Sequence, residues 1–372
     1  MAHWAYLCAA CALAVAVLLA TGWWRFAFAV FAIRPQAMTV DRLGLHVATD
    51  ADVRRINTIL GSFAGGFNAM IARPSSTAWR TYCASLPSLY QPFAHEGAAM
   101  GYTLRHLFRY DPAKFEARLV RKQPEFRYLY YVGLGFWSGM RNHDAARLTR
   151  IAADLDPLHR YLCYDGYGFK HAFFDYPKNA ACLRRLDALE GYARNAAYQG
   201  VGRAFWFLYL SRPELLIERI GGLGEHASDA AAGAGLAAVF VNPDRLEIAR
   251  DLGRQIPREW RPHYHLGICF GLKARSINNV EQFERDLASA DPEARDAAGA
   301  SIRECDRIEL LVRAERLDDG YRVWRSRVTE WMTDHIEYPL SRVMATDRAA
   351  PRPAAGSLRA GAGAAGGSER RQ

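Results

Sequence analysis

The chain has 372 residues, half of them apolar and 12% aromatic, enough for two ordinary domains or one extended repeat array. Its net charge of +9 comes almost wholly from arginine, since there are only five lysines, and the arginines are interspersed with Asp and Glu. That pattern makes no basic stripe, which argues against nucleic acid as a partner.

Residues 4–24 carry no charge and are long enough for one bilayer-crossing helix. A signal peptide would need a basic leading region, and only His3 precedes the apolar run. Trp23 and Trp24 suit an interfacial belt, while Arg25, Arg34 and Arg42 all follow the span. The positive-inside rule then predicts a single-pass inner-membrane protein whose body faces the cytoplasm. Three regions are expected: an anchor (1–33), a helical repeat domain (34–346) and a tail (347–372). The tail contains small residues, Pro and Arg without aromatic anchors, a composition that predicts disorder.

Between the ends, a glycine followed by a second small residue and an apolar or aromatic one recurs at Gly65, Gly97, Gly133, Gly166, Gly200, Gly233, Gly267 and Gly299. The intervals are 32, 36, 33, 34, 33, 34 and 32 residues. Polar breaks such as RNHD (141–144), DYPK (175–178), SRPE (211–214) and NPDR (242–245) separate these stretches from second amphipathic segments. One repeat is thus a helix A with a glycine waist, a turn and a helix B. The predicted fold is all-α: an α-solenoid of about eight helix-hairpin repeats, period about 33 residues, behind an N-terminal transmembrane helix.

Aligning the waists compares helix A by column. Two residues before the glycine stand His95, Tyr131, Tyr164, Tyr198, Ala231 and His265; one before it, Glu96, Val132, Asp165, Gln199, Ala232 and Leu266. Three after it stand Met100, Phe136, Phe169, Arg203, Leu236 and Phe270. Positions four apart share a helical face, so Glu96, Asp165, Gln199 and Arg203 are expected on equivalent faces, with an Asp165–Arg203 ion pair between adjacent repeats. That pair serves equally as a buried lock between repeats or as a polar cluster on an aromatic wall. The candidate catalytic residues are Asp165, Glu96 and Arg203, an acid among aromatics having a raised pKa suited to proton donation. The candidate ligand-binding residues are His95, Tyr131, Tyr164, Phe169, Tyr198, Gln199 and Trp206.

No metal or cofactor is expected. His95–Glu96 lacks a second histidine four residues on, and His263 and His265 alternate without a carboxylate nearby in sequence. The G-x-G elements lack the strand-turn-helix context of a dinucleotide site. Seven cysteines (Cys8, Cys11, Cys83, Cys163, Cys182, Cys269, Cys305) have no framework spacing, which indicates neither a disulfide scaffold nor a structural zinc site. Lys170 and His171, which follow DGYGF, are expected to cap or to meet solvent.

FAHEGAAMGY (93–102), LDPLHRYLCYDGYGFKHAFF (155–174), QGVGRAFWF (199–207) and AGAGLAAVF (232–240) resemble the UnbL-type family, encoded beside enediyne polyketide synthases. The resemblance covers roughly residues 60–305. In that pattern a histidine follows DGYGF, where this chain has Lys170. The resemblance implies a pathway context and no particular reaction. The expected function is that of a membrane-anchored accessory protein of enediyne-type polyene biosynthesis, holding a hydrophobic intermediate or a partner enzyme. Two alternatives stand beside it: a cyclase or isomerase acting on a polyene or isoprenoid, and a non-catalytic interaction scaffold.

Overall fold

The glycine register becomes the packing rule of the fold. In a computed structural model describing residues 2–21, 30–72, 76–106 and 111–335, the regular elements are helices and no strand is present among the described residues. Seven helices form a continuous row, each packed on the next: α2 (Asp50–Ala72), α4 (Gln91–Arg105), α5 (Arg127–Met140), α7 (Tyr161–Lys170), α8 (Tyr192–Leu208), α10 (Ala227–Val241) and α12 (Arg261–Asn278). A β-carbon on Gly200 would overlap the carbonyl of Asp165 in the preceding helix; one on Gly202 would overlap the carbonyl of Ala230 in the following helix. The same alternation holds at Gly166 and Gly168, facing Val132 and Ala197. Each G-x-G helix therefore touches one neighbour through each glycine, backbone against backbone.

The register shifts at both ends of the row. A β-carbon on Gly65 would meet the Tyr82 hydroxyl of α3 (Ser76–Ser85), while Gly66 makes the backbone approach to Ala94. Gly66 is therefore the packing glycine of α2, in the register of Gly168 and Gly202. Gly299 lies inside the long helix α14 (Pro292–Glu315) with only the flexible Arg303 side chain near it, so it is no waist. The eighth place is taken by the hairpin of α14 and α15 (Gly320–His335).

Shorter segments cover the outer face: α3, α6 (Ala145–Ala153), α9 (Pro213–Gly221), α11 (Leu246–Gln255) and α13 (Val280–Ala288). Polar residues cap two of them, Asp144 at α6 and Asn279 at α13, each accepting a backbone N–H of the first turn, as Asp291 does for α14. In the DYPK repeat the outer helix is replaced by a 3₁₀ segment, Ala180–Ala188.

The row curls until distant repeats meet. Arg55 of α2 forks onto Asp244 beyond α10, at 2.6 Å to each carboxylate oxygen. Phe93 of α4 meets Phe240 of α10 edge-on at 5.4 Å, and Asn278 at the end of α12 donates to the Glu125 carbonyl at 2.6 Å. The inner space left by this curl is occupied by α15. Tyr321, Trp324, Arg325 and Val328, spaced i, i+3, i+4 and i+7, form one buried stripe.

The expectation of a membrane anchor is corrected. Helix α1 covers Ala2–Thr21, yet among the described residues no helix is long and apolar enough to cross a membrane. A span needs about 20 consecutive, predominantly apolar residues in one helix, a combination that none of the described helices meets. The predicted transmembrane helix, and with it the single-pass inner-membrane placement facing the cytoplasm, is therefore not supported. Trp23, Trp24 and Arg25 lie outside the described residues, as does the tail at 347–372.

The waists are testable one at a time. Gly200→Ala forces two backbones apart and is expected to cost about 3 kcal/mol or more. Gly299→Ala, in an ordinary helix interior, should be neutral or stabilising by up to about 1 kcal/mol. Urea denaturation of both variants measures the contrast, and equal effects would refute the waist assignment.

Candidate functional site

The column before the waist glycine and the column three after it both face the interior. Phe136, Phe169, Arg203, Leu236 and Phe270 of the later column line inner cavities, together with Glu96, Val132 and Asp165 of the earlier one. Two cavities, of about 60 and 50 Å³, lie on either side of Arg203. The first is walled by Asp165, Tyr128, Phe270, Lys273, Tyr321 and Trp324. The second is walled by Glu96 with Met38, Ile59, Phe63, Phe136 and Phe169.

Asp165 forms an ion pair with Arg203 and accepts from the Gln199 amide at 2.9 Å. The Gln199 carbonyl accepts from Arg325 of α15, whose guanidinium lies 3.8 Å from Asp229, and Asn195 donates to Asp229 at 2.7 Å. Two carboxylates and two guanidiniums thus balance in a shared network whose core, Asp165, Gln199 and Arg325, is at most 2% exposed. Burial raises the Asp165 pKa, opposed by the neighbouring Arg203 charge and the Gln199 hydrogen bond; Arg203 is itself raised despite burial, chiefly by Asp165. Arg203 also sits over the Phe169 ring at 5.0 Å, a cation–π contact.

Glu96 is the other kind of acid. It is 5% exposed, and its carboxyl has no hydrogen-bond partner among the described residues. Burial pushes it up to about 7; the Arg203 charge opposes the rise and the Asp165 charge adds to it. A buried carboxyl in an apolar wall is a proton reservoir near neutrality.

Five of the ten predicted residues therefore converge: Asp165, Glu96, Arg203, Phe169 and Gln199. His95, Tyr131, Tyr164 and Tyr198 do not. One residue earlier on the helix is about 100° away, so this column faces the outer layer. His95 stacks on Phe126 at 3.6 Å and shares a 2.9 Å hydrogen bond with the Tyr130 hydroxyl. Tyr131 donates to Glu116, Tyr164 bonds Thr149, and Tyr198 stacks on His226 at 3.9 Å. Trp206 is buried core against Phe207. Lys170 and His171 neither cap nor meet solvent. Both are buried, at 2.8 and 2.7 Å from Asp175, where α7 ends at Lys170 and passes into a π-helical turn covering His171–Asp175.

Sequence reasoning missed the contribution of α15, namely Tyr321, Trp324 and Arg325, and the partners Asp229 and Asn195. The i, i+3, i+4, i+7 spacing in GYRVWRSRV was the available signal, since it places an arginine inside an apolar stripe. Among the described residues no group of three or more His, Cys, Asp or Glu is placed to hold a metal ion.

Two measurements test this electrostatics. Arg325→Met leaves Asp229 and the Gln199 carbonyl without their buried partner and is expected to cost about 3–5 kcal/mol, read by chemical denaturation. Glu96, raised in the folded state from 4.5 to about 7, stabilises fully below pH 4.5, and that contribution is lost as pH rises through 7. Relative to Glu96→Gln, the parent should therefore lose stability between these values, by on the order of 3 kcal/mol at ~1.4 kcal/mol per pH unit. Parallel pH profiles of the two proteins would exclude this.

No curated protein and no solved structure matches the chain. A family profile described as a protein of unknown function, DUF1702, matches residues 23–332, which takes in the whole helix row, the interior acids and the greater part of α15. With most of its length matched, this chain belongs to the DUF1702 family of proteins of unknown function.

Proposed function

We propose that the protein takes an apolar, chain-like small molecule into its aromatic interior, with Glu96 and Arg203 meeting the molecule's polar end. The pathway context is the one suggested by the UnbL-type resemblance, an accessory role in enediyne-type polyene biosynthesis. The observation that carries this reading is the Glu96 carboxyl, unbonded in a wall of Met, Ile and Phe side chains. A buried polar group without a partner costs roughly 2–7 kcal/mol. An interior serving only to pack would have an apolar side chain there. Curved helical arrays commonly bind on their inner face. The inner space here is filled by α15, which weighs against an extended groove for a partner protein and in favour of a small ligand.

The cavities of about 60 and 50 Å³ are far below the roughly 300–1,000 Å³ of common ligand sites. A polyene would enter by displacing Arg203, the side chain that separates them. A second reading rests on one further observation: Glu96, raised to about 7, is partly protonated near neutrality amid Phe faces. That placement suits a general acid acting on a polyene or isoprenoid, with the rings stabilising positive charge.

A fluorescent polyene such as retinol provides the test. Saturable binding to the parent is expected, weakened at least tenfold by the cavity-filling Phe169→Trp. Glu96→Gln should keep binding under the accessory reading and abolish product formation under the catalytic one. An unchanged metabolite profile in a deletion strain would overturn both.

A further inference from the structure

A further cavity, larger than the two beside Arg203, shares no lining residue with either. It measures about 250 Å³ and lies between α11, α12 and the turn joining α13 to α14. The gap has a structural cause. In the outer layer α9 packs on α11, but α11 and α13 share no comparable contact. The facing positions are small, among them Ala249, Gly253, Ala294, Ala297 and Ala298, so no side chain fills the space.

His265 lines this cleft. It stands in the column two before the waist, whose other polar members all have a partner: His95 has Tyr130, Tyr131 has Glu116, Tyr164 has Thr149 and Tyr198 has Asp187. His265 is 5% exposed and has no hydrogen-bond partner among the described residues. Burial lowers it to about 4, so near neutrality its ring offers one N–H donor and one acceptor nitrogen. A buried imidazole without a partner that lines a cleft is a group awaiting a ligand.

The rim supplies the charge. Asp244, Glu247, Asp286 and Asp291 border the cleft, against a single cation, Arg250. Asp244 is occupied by Arg55 and Arg250 by Asp251, Asp286 accepts from Gln282, and Asp291 caps α14. Glu247 is exposed and has no hydrogen bond or ion pair among the described residues. The excess at the mouth is negative.

We propose that this cleft is a second binding site, for a small apolar molecule carrying a protonated amine. The apolar body lies against the alanine wall, and the ammonium donates to the His265 ring nitrogen and to the carboxylate rim. The site is independent of the interior reading, and the probes keep the two apart.

Phenethylamine, 2-phenylethanol and 3-phenylpropionate, titrated calorimetrically into the full chain, share one apolar body with different heads. The amine should bind saturably, at least tenfold tighter than the carboxylate, with the alcohol between. His265→Phe should weaken the amine at least tenfold, as should Ala297→Phe, which fills the cleft from a half-exposed position. Glu247→Gln should narrow the gap between amine and alcohol, and Glu96→Gln in the interior should change nothing. The proposal is overturned if no saturable binding occurs up to millimolar amine or if the carboxylate binds as well. It is equally overturned if folded His265→Phe and Ala297→Phe bind like the parent.

Discussion

Backbone contact between successive inner helices is the constraint on which the rest of this protein depends. A glycine in a helix interior costs about 1 kcal/mol relative to alanine, and here such glycines recur in pairs along the row. The return is an approach that no β-carbon permits: Gly200 lies against the Asp165 carbonyl and Gly233 against that of Gln199. Close spacing brings equivalent positions of neighbouring helices within reach of one another. Asp165, Gln199 and Arg203 meet because the waist beneath them is thin.

That proximity creates an electrostatic problem as well as a site. Carboxylates brought together in a dry interior need counter-charges, and a buried ion pair is stable only when its remaining hydrogen-bonding capacity is met. Arg203 supplies part of this from within the row, and Arg325 supplies the rest from the far end of the sequence. The last helix therefore closes the interior chemically as well as sterically, its Tyr321 and Trp324 filling space beside the charge it brings. Glu96, outside the balanced network, carries no matching partner, and burial raises its pKa to about 7.

The outer face obeys a different rule. Residues two before the waist point away from the interior and find partners in the covering segments or, for His95, in Tyr130 of α5, which is why His95, Tyr131, Tyr164 and Tyr198 are structural. Where the cover is incomplete, between α11 and α13, the same column exposes His265 to a cleft. A single helical periodicity thus accounts for both the interior acids and the outer histidine.

By itself, the sequence determined the helical class, the repeat, the waist register over its middle members and the Asp165–Arg203 pair. All of these are local: a period of about 33 residues and a four-residue helical spacing are properties of the chain read in order. The direction each column faces was decided only by the tertiary structure. Glu96 and His95 are adjacent in sequence, and which of them meets the interior depends on the side to which the covering helices attach. The curl of the row and the insertion of α15 were equally illegible, because Arg55–Asp244 and Gln199–Arg325 join residues more than a hundred positions apart. The N-terminal apolar run marks the same boundary from the other side: low charge marks an apolar helix, whereas crossing a bilayer requires length and apolarity together, which no described helix combines.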